Sequence, residues 1–346
     1  MATTSPTGPR TERPAASGDP VLDVVDLRTH LHTRWGVTKA VDGVSFRLRR
    51  GETLGVVGES GSGKSMLALS LVRLLPEPAG RIVGGRVLLD GADLLTLPES
   101  RMRGLRGRAI SMILQDPHQS LNPVFSTGNQ LEEAIRAHDR RLDRDTVRQR
   151  AVDALRSVHV PAPEQRLAQY PHQLSGGMKQ RVVGAMAMSY RPRVLIADEP
   201  TTALDVTIQA QYLKLLRELQ AATGVAIILI THDFGVVAEA CDRVAVMYAG
   251  RIVEQGPVRD IFDRPHHPYT RALLDSRPRA DVTVDRLASI DGQPPSLIDP
   301  PEGCRFAPRC AFAGDRARVE YPPAHEVSDG HVAWCWRSEE RPWEQR

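Results

Sequence analysis

Gly58-Glu59-Ser60-Gly61-Ser62-Gly63-Lys64-Ser65 fits the pattern G-x-x-x-x-G-K-[ST]. Its neighbours supply the context this loop needs. Thr53 to Val57 is a short apolar run that reads as a strand, and Leu67, Leu71, Leu74 and Leu75 follow at helical spacing. A glycine-rich turn between strand and helix lets backbone N–H groups curl around phosphate oxygens, and the helix N-terminus adds its positive end. In such a loop the lysine, Lys64, reaches the β- and γ-phosphates and the hydroxyl of Ser65 ligates Mg²⁺. A chance match in a Gly-rich turn would not carry this flanking order.

Working outward, Val194-Leu195-Ile196-Ala197-Asp198-Glu199 reads as a buried strand ending in two carboxylates. Open α/β sheets place ligands at the carboxyl ends of their strands, so Asp198 is expected at the metal and Glu199 on the attacking water. Val225 to Ile230 is another apolar strand, followed by His232, and about Ile208 to Ala222 is helical. Short apolar strands alternating with helices argue for a parallel sheet covered on both faces. Residues 21–50 read as strands, and Gly85 to Leu89 as a further one closed by an Asp90-Gly91 turn. From about 100 to 192 the chain becomes Arg-rich and mostly helical, an expected inserted subdomain. Its arginines, interspersed with Asp139, Asp143 and Asp145, read as solvated helical faces.

The 346 residues suggest about two domains at ~150 residues each. A net charge of +3, from 45 basic and 42 acidic residues, is too balanced for a dedicated nucleic-acid binder. No apolar stretch approaches the ~20 residues that cross a bilayer. Residues 1–20 read as a loose tail without the apolar core of a signal peptide, so a cytoplasmic protein is expected. Residues 278–303 are polar and Pro-rich and read as a linker. Residues 304–346 hold Cys304, Cys310 and Cys335, three of the four cysteines.

Leu174-Ser175-Gly176-Gly177-Met178-Lys179-Gln180-Arg181 resembles the signature of ATP-binding cassette (ABC) proteins. It stands in sequence order between the Gly58–Ser65 loop and Asp198-Glu199. The resemblance spans about residues 21–277. It implies a P-loop NTPase cassette of class α/β, with a RecA-like parallel core, an antiparallel β subdomain and a helical subdomain. It also implies a function, ATP hydrolysis in a dimer of cassettes. In that dimer Ser175, Gly176 and Gly177 would contact the γ-phosphate held by the other subunit. Gln115, in Met112-Ile113-Leu114-Gln115-Asp116-Pro117, matches the Q-loop, which senses Mg²⁺ and faces the membrane subunit. Ala203-Leu204-Asp205 matches the D-loop, and Thr231-His232-Asp233 the switch histidine. Trp35, 23 residues before Gly58, matches the aromatic that stacks on adenine.

Within the family, the details resemble the D-type ATPase of oligopeptide and dipeptide importers. Met178 replaces the Gln found in most signatures, and Pro265 to Leu274 looks like the stretch that follows the cassette core. Gly303 to Cys310 looks like the start of the Cys-bearing extension. The implied partners are a second cassette, an F-type chain, with two membrane permeases and a peptide-binding protein at the cytoplasmic face of the membrane. Nickel or other small-solute import, and a non-transport ABC ATPase, are the alternatives. Some members of the family hold a 4Fe–4S cluster on four Cys of the extension. Here the position expected for the remaining Cys falls near Ala317. That leaves a cluster completed by His325 or His331, a Cys₃His zinc site, or thiols packed as small hydrophobes.

Overall fold

The computed structural model describes residues 18–116, 120–202, 204–276 and 289–344. The tail up to residue 17, Pro117 after the Q-loop glutamine, Ala203 of the D-loop and linker residues 278–288 lie outside the described residues.

The strands are β1 (Leu22–Thr33), β2 (Gly36–Leu48), β3 (Thr53–Val57), β4 (Gly80–Leu89), β5 (Ala92–Asp93) and β6 (Ile110–Ile113), then β7 (Val194–Asp198), β8 (Ala226–Ile230), β9 (Arg243–Tyr248), β10 (Arg251–Pro257), β11 (His325–Ser328) and β12 (His331–Ala333). They form two sheets. The larger runs β11-β12-β10-β9-β3-β8-β7-β6, and the smaller β2-β1-β4-β5. In the larger sheet β6, β7, β8, β3 and β9 pair in parallel, while β10, β12 and β11 are added antiparallel. The smaller sheet is antiparallel throughout.

The apolar runs of β3, β7 and β8 are buried along their whole length. Successive side chains of a strand point to opposite faces, so each of these strands feeds two cores. Leu54, Val56, Val194, Ile196, Ile228 and Ile230 join the core beneath the antiparallel sheet, with Leu22, Leu27 and Leu48. Val57, Leu195, Ala197, Ile227 and Leu229 join the core on the helical side, with Leu131, Leu155 and Val182. The parallel sheet is thus covered on both faces, in agreement with the α/β cassette expected from the sequence.

Two local readings change. The helix after the glycine-rich loop spans Lys64–Leu71 and ends before Leu74, which is exposed. Arg73 adopts a left-handed φ of 54°, which a continuing helix would forbid, and its guanidinium donates to the carbonyls of Leu94 and Leu97. Strand β4 begins five residues before Gly85. Its Asp90-Gly91 turn has φ of 46° and 82° at the two residues, the positive pair that a tight hairpin requires. Among the arginines of the helical region, Arg101, Arg103, Arg148 and Arg150 are exposed. Arg106 is not: it donates to the carbonyls of Val72 and Arg73 and pairs with Glu99.

Candidate functional site

The carboxyl ends of β3 and β7 bring the two sequence motifs together. Between β3 and the helix Lys64–Leu71, Gly63 has φ 102°, and a Cβ there would lie 2.1 Å from the carbonyl oxygen of Ala40. A Cβ at Gly58 would lie 2.1 Å from that of Met247. Only glycine lets β2 and β9 close on the loop this tightly. The Lys64 side chain folds back along the loop. Its ammonium donates to the carbonyls of Gly58 at 2.8 Å and Glu59 at 2.9 Å. Burial pulls this ammonium below the usual lysine range, against the opposing pull of Glu199, Asp198 and Glu59.

Asp198 closes β7 and is buried. Burial pushes its carboxyl above the usual range, while a hydrogen bond from Ser65 and the charge of Lys64 pull it down. Its Oδ1 has no hydrogen-bond partner although it is buried. An orphaned buried carboxylate oxygen beside a hydroxyl is a donor set that suits a hard cation such as Mg²⁺.

Glu199 follows with a left-handed φ of 47°, its N–H donating to Ile230 of the neighbouring β8 at 2.9 Å. This backbone kink turns the side chain out of the strand, and three groups meet one of its oxygens, Oε2. Gln115 donates its amide at 3.3 Å, Thr202 its hydroxyl at 2.9 Å, and His232 Nδ1 lies at 3.3 Å. The sequence singled out Gln115 and His232, and both lie here. It missed Thr202, whose signal was available: a hydroxyl three residues after Glu199 in a turn that returns the Thr202 N–H to the Glu199 carbonyl.

The signature residues lie in a different setting. Ser175 caps the helix Gly176–Met188, accepting from the Met178 N–H at 3.3 Å, and is itself exposed. A Cβ on Gly176 would enter open space. Asp205 caps the helix Val206–Thr223 through the Ile208 N–H at 3.0 Å. Trp35, between β1 and β2, is 72% exposed, with the Arg34 guanidinium 4.5 Å over its ring.

The C-terminal thiols of Cys304, Cys310 and Cys335 line one largely apolar pocket with Phe306, Ala317 and Trp336. Burial pushes all three above the usual thiol range, Cys335 to about 12. Ala317 offers no ligand. His331 gives Nε2 to Glu254 at 2.8 Å, and His325 is not among the pocket's lining residues. Among the described residues no group of three or more His, Cys, Asp or Glu side chains is disposed to hold a metal ion. The residues present do not fit a 4Fe–4S cluster.

Comparison with known proteins bears on the family. The ABC transporter family profile matches residues 41–202, and the profile of the oligopeptide/dipeptide transporter C-terminal region matches residues 253–316. The chain is 53% identical over 323 residues to the probable peptide ABC transporter ATP-binding protein y4tR of Sinorhizobium fredii, covering 93% of this chain and 96% of that one. It is 50% identical to the dipeptide transport ATP-binding protein DppD of Bacillus subtilis, with the same coverage of each. Its fold matches the dimeric structure of MJ0796, described as a bacterial ABC transporter cassette, at a TM-score of 0.61 and 25% identity, over 69% of this chain and 99% of that one. Along the chain the loop with its lysine and serine comes first, then the Ser-Gly-Gly helix cap, then the strand ending in paired carboxylates. The chain belongs to the ABC transporter ATP-binding proteins.

Proposed function

We propose that this chain is the ATP-hydrolysing subunit that powers import of di- or oligopeptides through membrane permeases. The observation that carries the reading is the convergence of Gln115, Thr202 and His232 on Glu199, one residue after the metal-suited Asp198. The peptide assignment is supported by the match of residues 253–316 to the oligopeptide/dipeptide transporter C-terminal region, and by relatives named for peptide and dipeptide transport.

The residues divide the chemistry as follows. Backbone N–H groups from Gly58 to Ser65, including Ser60, Gly61 and Ser62, cradle the phosphates. Lys64 exchanges its loop carbonyls for the β- and γ-oxygens. Ser65, Asp198 and Gln115 would hold Mg²⁺, which when bound neutralises phosphate charge. Glu199 acts as general base: Gln115, Thr202 and His232 fix Oε2, and no hydrogen bond engages Oε1 among the described residues, so Oε1 can take the proton of the attacking water. His232, whose side chain is 60% exposed, can also reach a γ-phosphate. Trp35 presents a free face for adenine. Ser175, Gly176 and Gly177, with Asp205 alongside, complete the site of a facing cassette, a distinct F-type chain.

Partner docking has support near Gln115. Leu114, Val124 and Phe125 are all exposed apolar side chains flanking the Q-loop in sequence, which suits a permease surface. No helix among the described residues is long and apolar enough to cross a membrane. The importer reading itself puts the chain at the cytoplasmic face of the membrane, beside its permeases. The test is reconstitution with candidate permeases and a candidate peptide-binding protein. ATP-dependent uptake of di- or oligopeptides into proteoliposomes is expected. Uptake of nickel or another small solute with no peptide transport would overturn the peptide assignment.

A further inference from the structure

Glu59 is an awkward residue for an anion-binding loop, because an uncompensated carboxylate beside the phosphates would repel them. The structure compensates it from the far end of the chain. Arg309 makes a fork on the carboxylate, Nη1 to Oε2 at 2.7 Å and Nη2 to Oε1 at 3.1 Å. The remaining polar groups of Glu59 are also committed. Its N–H donates to the Tyr269 hydroxyl at 2.9 Å, and its carbonyl accepts from Lys64 at 2.9 Å and from the Ser62 N–H at 3.2 Å.

Arg309 is held as firmly as Glu59. Its side chain is 4% exposed, Nε donates to the Asp291 carbonyl at 2.9 Å, and Nη2 to the Ile290 carbonyl at 3.1 Å. Nη1 also reaches the Tyr248 hydroxyl at 3.3 Å. The same C-terminal segment grips β2, the strand that packs on Gly63. Arg305 pairs with Asp42 and donates to the Ala249 carbonyl, and the Lys39 N–H donates to the Leu297 carbonyl at 2.8 Å. The guanidinium is buried while the Glu59 side chain is 28% exposed, and the bidentate geometry fixes both position and charge more firmly than a single-contact surface pair does.

We propose that Arg309 is a positioning residue of the nucleotide site: by neutralising and fixing Glu59 it keeps the phosphate-binding loop receptive to anions, so that nucleotide binding depends on the C-terminal segment. This rests on the reading of the loop as an ATP site. It gives the segment a role that needs no metal at the cysteines.

The test is Mg-ATP binding to the full-length chain, read with a fluorescent ATP analogue. Arg309→Gln is expected to weaken binding by roughly tenfold, because it leaves the partly buried Glu59 carboxylate uncompensated beside the phosphates. Adding Glu59→Gln removes the stranded charge, and the double variant should recover to within about threefold of wild type. A purely structural role for Arg309 predicts no such rescue. Unchanged affinity in Arg309→Gln, or a loss that Glu59→Gln does not repair, overturns the proposal. If Arg309→Gln does not fold, Arg309→Lys, which cannot make the fork, replaces it: a loss of affinity that Glu59→Gln repairs supports the proposal, and no loss, or a loss that Glu59→Gln leaves in place, overturns it. Lys64→Ala run alongside separates the two layers. Wild-type binding in that variant sinks the nucleotide reading itself, whereas loss there with none in Arg309→Gln sinks only the role of Arg309.

Discussion

The glycine-rich loop and the signature helix are both anion-suited helix starts, yet the structure finishes one and leaves the other open. Around the loop, Lys64, Ser62 and Asp198 are buried, and the carboxylate, carbonyl and N–H of Glu59 each have a protein partner. At the signature, Ser175 is exposed and Gly176 faces empty space. A glycine in open space has no internal packing reason to be glycine, which supports the proposal that a facing cassette approaches it from outside. On the proposed reading, one chain supplies a finished phosphate pocket and offers the lid of another. Binding and turnover should separate accordingly: binding belongs to the loop, turnover to the assembled pair.

The largest effect should come from Glu199→Gln, which removes the base while keeping the side chain's size. Hydrolysis by the assembled transporter should fall by roughly 10²–10⁴-fold, the range of general-base loss, while ATP binding to the isolated chain stays as in wild type. ATP-bound cassette dimers should accumulate in size-exclusion runs. A variant that keeps more than about a tenth of wild-type turnover would move the base elsewhere.

Gly176→Glu tests the other side. Open space at that position, together with a carboxylate in the first turn of a helix, should leave the fold intact. The same carboxylate would meet the facing cassette's phosphates, and like charges forced together across an interface cost several kcal/mol, so turnover should fall by about 100-fold. ATP affinity of the isolated chain should not change. A matching loss of affinity in the isolated chain would put Gly176 in its own pocket and collapse the distinction.

Trp35→Ala should do the reverse, and more mildly. Loss of one base–aromatic stack weakens ATP binding by roughly 1–3 kcal/mol, with turnover at saturating ATP changed much less. Equilibrium dialysis with radiolabelled ATP reads the first and a coupled phosphate assay the second. Unchanged affinity would leave Trp35 as a surface aromatic stacked on Arg34.

What the sequence made legible follows the same division. The loop, the Asp198-Glu199 strand and the signature are local patterns, each carried by residues within one element, and the parallel core followed from its short apolar strands. The helix after the loop ran too long in the sequence reading because the apolar spacing of Leu74 and Leu75 continues past the point where Arg73 turns left-handed. Thr202 lay within reach of a local argument, being three residues from Glu199. The Arg309–Glu59 fork did not, since 250 residues separate its ends and neither residue is unusual in its own neighbourhood. Strands β11 and β12 are likewise short, and they exist as strands because β10 presents an edge for them.

The most direct test of the central claim compares binding with turnover in the isolated chain at a dilution where light scattering shows only monomer. ATP should still bind, hydrolysis should be nearly absent, and adding the partner cassette with its permeases should restore it. Full hydrolysis by the dilute monomer would contradict the account, because it would mean that the pocket around Gly58–Ser65 needs no lid from another chain.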